Sequence, residues 1–100
     1  GGFNVYPGEV EGALSTCPGI AECCVVGLPD EQWGEIITVI VVRVKGSPLS
    51  EREVLDFARA ELADYRRPKR VHFVDELPLN SAGKIDRRAA KDALVAAGSA

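Results

Sequence analysis

The apolar positions change period several times along the chain. In "YPGEVEGALSTC", Val10, Ala13, Leu14 and Cys17 fall at i, i+3, i+4 and i+7, the spacing that gathers one face of an α-helix. Pro7 suits its start, two glutamates sit in its first turns, and Pro18-Gly19 ends it. "IAECCVVGL" and "IITVIVVRV" are runs rich in β-branched residues, and the second is apolar on both alternations. That pattern predicts a strand covered on both faces, hence a central one. The polar stretch "PDEQWGE" between them reads as a loop.

Ser50 followed by Glu53 forms a capping box, in which each side chain bonds the other's backbone N–H at a helix start. Val54, Leu55, Ala58 and Leu62 give that helix its core face. "RVHFVDEL" is a short strand reached through this helix, so it should run parallel to the strand before it as a right-handed βαβ unit. "SAG" marks a turn within a small hairpin. Asp86 can cap a last helix whose Ala90, Ala93, Leu94 and Ala97 pack inward before Gly98. The order α-β-β-α-β-turn-α gives an α+β fold: a small mixed three-stranded sheet flanked by helices, plus a short hairpin. One domain spans residues 1–100, with no internal repeat.

Composition narrows the function. The net charge is −3, yet residues 1–64 hold 4 basic and 11 acidic side chains while residues 65–91 hold 8 basic and 3 acidic. The second stretch therefore suits an anion. Overall acidity argues against a nucleic-acid partner, which asks for an extended basic face, and a compact anionic ligand fits better. No apolar run approaches the roughly 20 residues of a membrane helix, and no signal peptide opens the chain. The expected location is cytoplasmic. Cys17, Cys23 and Cys24, with the single His72, match no zinc or disulfide spacing, so the thiols read as buried side chains and His72 is given no chemistry.

Lys84 in "PLNSAGKIDRR" invites a phosphate-binding reading. A P-loop requires a glycine five positions before the Gly-Lys pair and a Ser or Thr after it. Pro78 and Ile85 occupy those positions. Proline lacks a donor and isoleucine cannot hold a metal, so this segment builds no such cradle.

"GGFNVYPGEVE", "VVGLPDEQWGE" and "YRRPKRVHFVDELPLNSAGKIDRR" stand in an order and at spacings that resemble the C-terminal domain of the adenylate-forming superfamily. That group holds acyl-CoA synthetases, adenylation domains of peptide synthetases and firefly-type luciferases. The resemblance covers essentially the whole chain and implies a mobile lid, with the large N-terminal domain that binds ATP and the carboxylic acid lying before Gly1. ATP and CoA are the implied co-substrates. Magnesium is expected through the N-terminal domain, with no metal held by this chain.

The resemblance assigns Lys84 to catalysis of adenylation, where its charge meets the carboxylate and the α-phosphate. It implies that Gly1 and Gly2 line a pantetheine tunnel, and that Trp33, Tyr65, Arg67 and Lys69 hold the CoA nucleotide. Stacking on adenine and charge on its phosphates would suit those side chains. Ordinary packing of Trp33 and Tyr65, and a solvated charge run in "RRPKR", remain the plain alternatives. Arg87 and Arg88 are expected to support the last helix or a domain interface. A protein lysine acetyltransferase acting on Lys84 is a further implied partner. The function implied is that of an AMP-forming acyl-CoA synthetase, an acid–thiol ligase, with the fragment alone inactive. The alternatives are an adenylation domain loading a carrier protein, or a stand-alone binding module. The resemblance places the pocket that selects the acid in the N-terminal domain.

Overall fold

The computed structural model describes residues 6–98. The elements are α1 (Pro7–Leu14), β1 (Ile20–Asp30), β2 (Gly34–Arg43), α2 (Glu51–Glu61), a 3₁₀ turn (Asp64–Arg66), β3 (Arg70–Phe73) and α3 (Arg87–Ala96). β2 is central: it pairs antiparallel with β1 and parallel with β3. The α+β fold, the mixed sheet and the buried middle strand all follow the expectation drawn from the apolar runs.

Side-chain alternation divides the interior in two. Val25 of β1 and Val39 and Val41 of β2 face α1 and α2, where they meet Val10, Leu14, Val54, Ala58, Leu62 and Val71. Cys24, Val26 and Leu28, with Ile36 and Ile40, face the other way onto Leu77, Ala90 and Leu94, the last two from α3. A strand with apolar residues on both alternations needs a cover on each face, and the helices supply it.

The sequence reading differs from the structure at several points, and "RVHFVDEL" is strand only as far as Phe73, where the ladder against β2 ends. The stretch from Pro29 to Glu35 is mostly strand, because β1 and β2 pair up to Asp30 opposite Gly34. Asp30 Oδ2 accepts from the N–H groups of Gln32 (3.0 Å) and Trp33 (2.8 Å), so a side chain closes the turn that a longer loop would otherwise make. α1 stops at Leu14, where Ser15 and Thr16 turn their hydroxyls back onto the carbonyls of Gly12 and Ala13; Cys17 is buried just beyond the helix, its N–H bonded to Leu14 O at 2.9 Å. Ala93 and Ala97 are exposed, since Ala90 and Leu94 alone carry the inward face of α3. The Ser50–Glu53 capping box and the Asp86 cap form as expected.

Candidate functional site

Lys84 sits on a hairpin whose geometry follows from two residues before it. Leu79 bridges Ile85 in antiparallel fashion, and Asn80 N–H donates to Lys84 O at 2.7 Å. Asn80 Oδ1 accepts from Ala82 N–H at 2.8 Å and from Lys84 N–H at 3.1 Å. One carbonyl oxygen thus holds both the tip and the base of the turn, an Asx arrangement. Gly83 has φ of +80°, and a methyl group there would meet nothing within 4 Å. Glycine is required for its backbone conformation rather than for want of space. Asp86 N–H closes the hairpin onto Pro78 O at 2.8 Å. Ile85 packs into the α3-side core, while the Lys84 side chain points outward and is exposed. Among the described residues, no carboxylate pairs with its ammonium.

Trp33 and Lys69 meet beside the β1–β2 turn. Trp33, 65% exposed, projects from the β1–β2 turn. Lys69 N–H bonds Ile37 O at 2.8 Å, bringing its Nζ to 5.8 Å from the centre of the indole, within reach of a cation–π contact. Tyr65 lies in the 3₁₀ turn with the Arg66 guanidinium 5.3 Å from its ring centre. Arg66 in turn pairs with Glu9 at 3.0 Å.

Arg67 has a structural occupation. Its Nε donates to Leu62 O (2.8 Å), its Nη2 to Arg59 O (3.0 Å) and its Nη1 to Asp64 Oδ1. All three nitrogens are engaged, two of them at the end of α2, on the carbonyls of Arg59 in its last turn and of Leu62, its C-cap, where a helix leaves carbonyls without an internal partner. Leu55, Arg59, Asp64, Arg67, Pro68 and Lys69 line one open groove of about 540 Å³. Of the sequence-assigned nucleotide residues, then, Trp33 and Lys69 are in contact, Arg67 forms the wall beside Lys69, and Tyr65 stands one residue before Arg66. Lys84 belongs to a separate hairpin anchored on the α3 side of the sheet, whereas Arg67 is tied to α2 on the other. Gly1 and Gly2 lie outside the described residues.

Two features escaped the sequence reading. Asn80 organises the lysine turn, and Asn-x-x-Gly was a legible signal for it. Glu11 and Arg87 are 76 positions apart yet form a fork, Nη2 to Oε1 at 2.7 Å and Nε to Oε2 at 3.3 Å; no local pattern announces such a pair. Its hydrogen bond to Glu11 raises the pKa of Arg87. Nearby, burial foremost and the Glu11 charge next push the Cys23 thiol up to about 12 and the Cys24 thiol to about 11. Burial accounts for both as ordinary inert thiols. Among the described residues no group of three or more His, Cys, Asp or Glu side chains could hold a metal ion, and no helix is long and apolar enough to cross a membrane.

Residues 9–84 match the family described as AMP-binding enzyme C-terminal domain. The chain is 48% identical over 85 residues to a methyl-dioxo-octahydroindenyl-propanoyl:CoA ligase of Rhodococcus jostii (strain RHA1), covering 85% of this chain and 16% of that protein. It is 45% identical over 91 residues to the fatty acid–acyl-carrier-protein ligase ScoC of Streptomyces coeruleorubidus, covering 91% and 18%. The ATP-bound crystal structure of MatB from Rhodopseudomonas palustris superposes with a TM-score of 0.87 at 40% identity, over 94% of this chain and 19% of that one. The chain thus spans about a sixth of the length of the curated relatives it matches.

Proposed function

Because the chain belongs to the AMP-binding enzyme C-terminal domain family, we propose that it is the mobile lid of an AMP-forming acyl-CoA synthetase and delivers Lys84 to the adenylation step. A large N-terminal domain of the same enzyme supplies the ATP and acid pockets, and the magnesium that accompanies ATP belongs there. In the first half reaction a carboxylate oxygen bonds to the α-phosphorus while the bond to pyrophosphate breaks. Negative charge gathers around phosphorus, and a cation held on a rigid turn stabilises it without reorganising. In the second, the CoA sulfur bonds to the acyl carbon, the bond to AMP breaks, and the thiol proton leaves to solvent.

The observation that carries this reading is the Lys84 turn itself: an exposed ammonium that pairs with no carboxylate among the described residues, on a hairpin locked by Asn80 and Gly83. Its anchorage on one side of the sheet, with the Arg67 wall on the other, supports a lid that shows different faces to the two half reactions. Trp33 and Lys69 are the contacts proposed for the CoA nucleotide, with Tyr65 and Arg67 shaping the groove and Gly1 and Gly2 along the pantetheine path. Lys84→Ala in the full-length enzyme tests the role. Carboxylate-dependent ATP–pyrophosphate exchange should fall on the order of 10²–10³-fold, while thioester formation from a supplied acyl adenylate stays within a few-fold of wild type. If both rates fall together, Lys84 supports folding or docking instead.

Similarity to ScoC favours one second reading, delivery of the acyl group to a carrier protein. Saturation by free CoA in the absence of any carrier protein decides for the synthetase. A cytoplasmic location is part of the proposal. So is a protein lysine acetyltransferase acting on the accessible Lys84, since acetylation removes the charge that adenylation needs.

A further inference from the structure

Lys84 reaches the reaction only as well as its hairpin is held, and the structure shows what holds it. The hairpin is a closed unit: Leu79 with Ile85, Asn80 with Lys84, and Asp86 with Pro78 all bond across it. It runs directly into α3, whose second residue position after the Asp86 cap lies just past Arg87. Arg87 is therefore three residues from Lys84 and the first residue of the helix that carries the hairpin's exit. Its guanidinium forks onto the Glu11 carboxylate of α1. The same carboxylate accepts from Val25 N–H at 2.7 Å, on the side of β1 turned away from β2.

Glu11 consequently joins three elements: α1 by its backbone, β1 by a hydrogen bond and α3 by an ion pair. The Arg87 side chain is 46% exposed and that of Glu11 21%, so the pair adds little to global stability. Its two-point geometry fixes direction, however, because a planar fork on a carboxylate tolerates little rotation. The α3 cap and the buried Ala90 and Leu94 do not depend on it. Its loss should leave the helix in place and free its first turn, together with the hairpin, to tilt against α1 and the edge of β1.

We propose that Arg87, through its fork on Glu11, is a positioning residue for the adenylation step, aiming the Lys84 turn; this rests on the adenylation role proposed above for Lys84. Displacing a reacting group by about 1 Å can cost on the order of 10²-fold in rate. Arg87 is not assigned a catalytic role: its Nε and Nη2 donate to Glu11, and it acts on the reaction through the turn it holds.

The test uses the full-length enzyme and four variants: Arg87→Ala, Glu11→Gln, Lys84→Ala and the double variant of Arg87→Ala with Lys84→Ala. Arg87→Ala should lower the kcat of pyrophosphate exchange by roughly 10- to 100-fold with the KM for ATP unchanged, and leave acyl-adenylate conversion to the thioester within a few-fold. Glu11→Gln keeps an oxygen in the place of Oε2, the acceptor for Val25 N–H and Arg87 Nε, but sets an NH2 group against Arg87 Nη2, so it removes the charge and one arm of the fork and should lower exchange in the same direction; it carries the test if Arg87→Ala does not fold. In the Lys84→Ala background, Arg87→Ala should cost nothing more in exchange. Multiplying losses in the double variant, or wild-type exchange in both Arg87→Ala and Glu11→Gln, would overturn the proposal. Failure of the underlying role is distinguishable: it appears as wild-type exchange in Lys84→Ala alone, whatever Arg87→Ala does.

Discussion

At the residue scale the lysine turn depends on one glycine whose role is conformational. Gly83 holds φ at +80° with empty space around its α-carbon, so Gly83→Ala introduces no clash, only the steric cost of a left-handed backbone, about 1–2 kcal/mol. Gly12 is the opposite case: it lies inside α1 and a methyl group there also meets nothing within 4 Å. Gly12→Ala should stabilise by roughly 0.5–1 kcal/mol. Urea unfolding of the two variants should move the midpoint in opposite directions. If Gly83→Ala leaves the midpoint unchanged, the turn does not need the left-handed conformation. The "SAG" signal gave away the turn, and Asn80 three positions before Gly83 was legible as its organiser, although the backbone N–H groups that its side chain holds are gathered only once the hairpin has closed.

At the element scale the segment after α2 divides its basic residues between structure and surface. Arg67 caps the carbonyls of Leu62 and Arg59, whereas Lys69, two positions on, lies against Trp33. Arg67→Ala should lower stability by about 1.5 kcal/mol, the lower end for hydrogen bonds to a charged group because the side chain is 34% exposed. Arg67→Lys should not restore it, since a single ammonium nitrogen cannot stand in for both Nε and Nη2, which reach the two carbonyls separately. Lys69→Ala should instead spare the melting temperature and raise the KM for CoA in the full-length enzyme. A melting temperature unchanged in Arg67→Ala would return that residue to the phosphate site. Composition showed a basic run; it could not apportion it, because which arginine faces a helix end depends on the 3₁₀ turn between them.

For the whole molecule, alkaline pH is the informative perturbation. Both Cys23 and Cys24 have folded-state pKa values above the usual 9.0, at about 12 and about 11, chiefly through burial. A thiol whose pKa is raised on folding is protonated in both states below about pH 9, so its contribution is fully present there. Above pH 9 the unfolded chain releases the proton that the folded chain retains, and stability is lost progressively as pH rises through about 11 to 12. Replacing both thiols by alanine should flatten the alkaline limb of a stability–pH curve measured by urea unfolding, whatever it does to stability at pH 7. An identical limb in wild type and variant would place the thiols in water. The protonated thiols should also resist alkylation in the folded protein at pH 8 relative to the denatured one.

The sequence by itself determined the elements and their broad arrangement. Two periodicities, a capping box, an Asp cap and a run apolar on both alternations are local facts, each set by short-range sterics or by the need to cover apolar surface, and they sufficed for a mixed sheet with β2 at its centre. The motif around Lys84 was legible for the same reason: its residues are neighbours along the chain. Tertiary structure alone decided the junctions between elements. Whether the β1–β2 connection is a loop or a tight turn rests on strand pairing across it, and whether Arg67 binds a carbonyl or a ligand rests on where α2 ends. The Glu11–Arg87 fork exists only because α1 and α3 both converge on the free edge of β1. Such contacts join residues far apart in sequence, whose proximity is fixed by packing of the completed core and by no pattern within either segment.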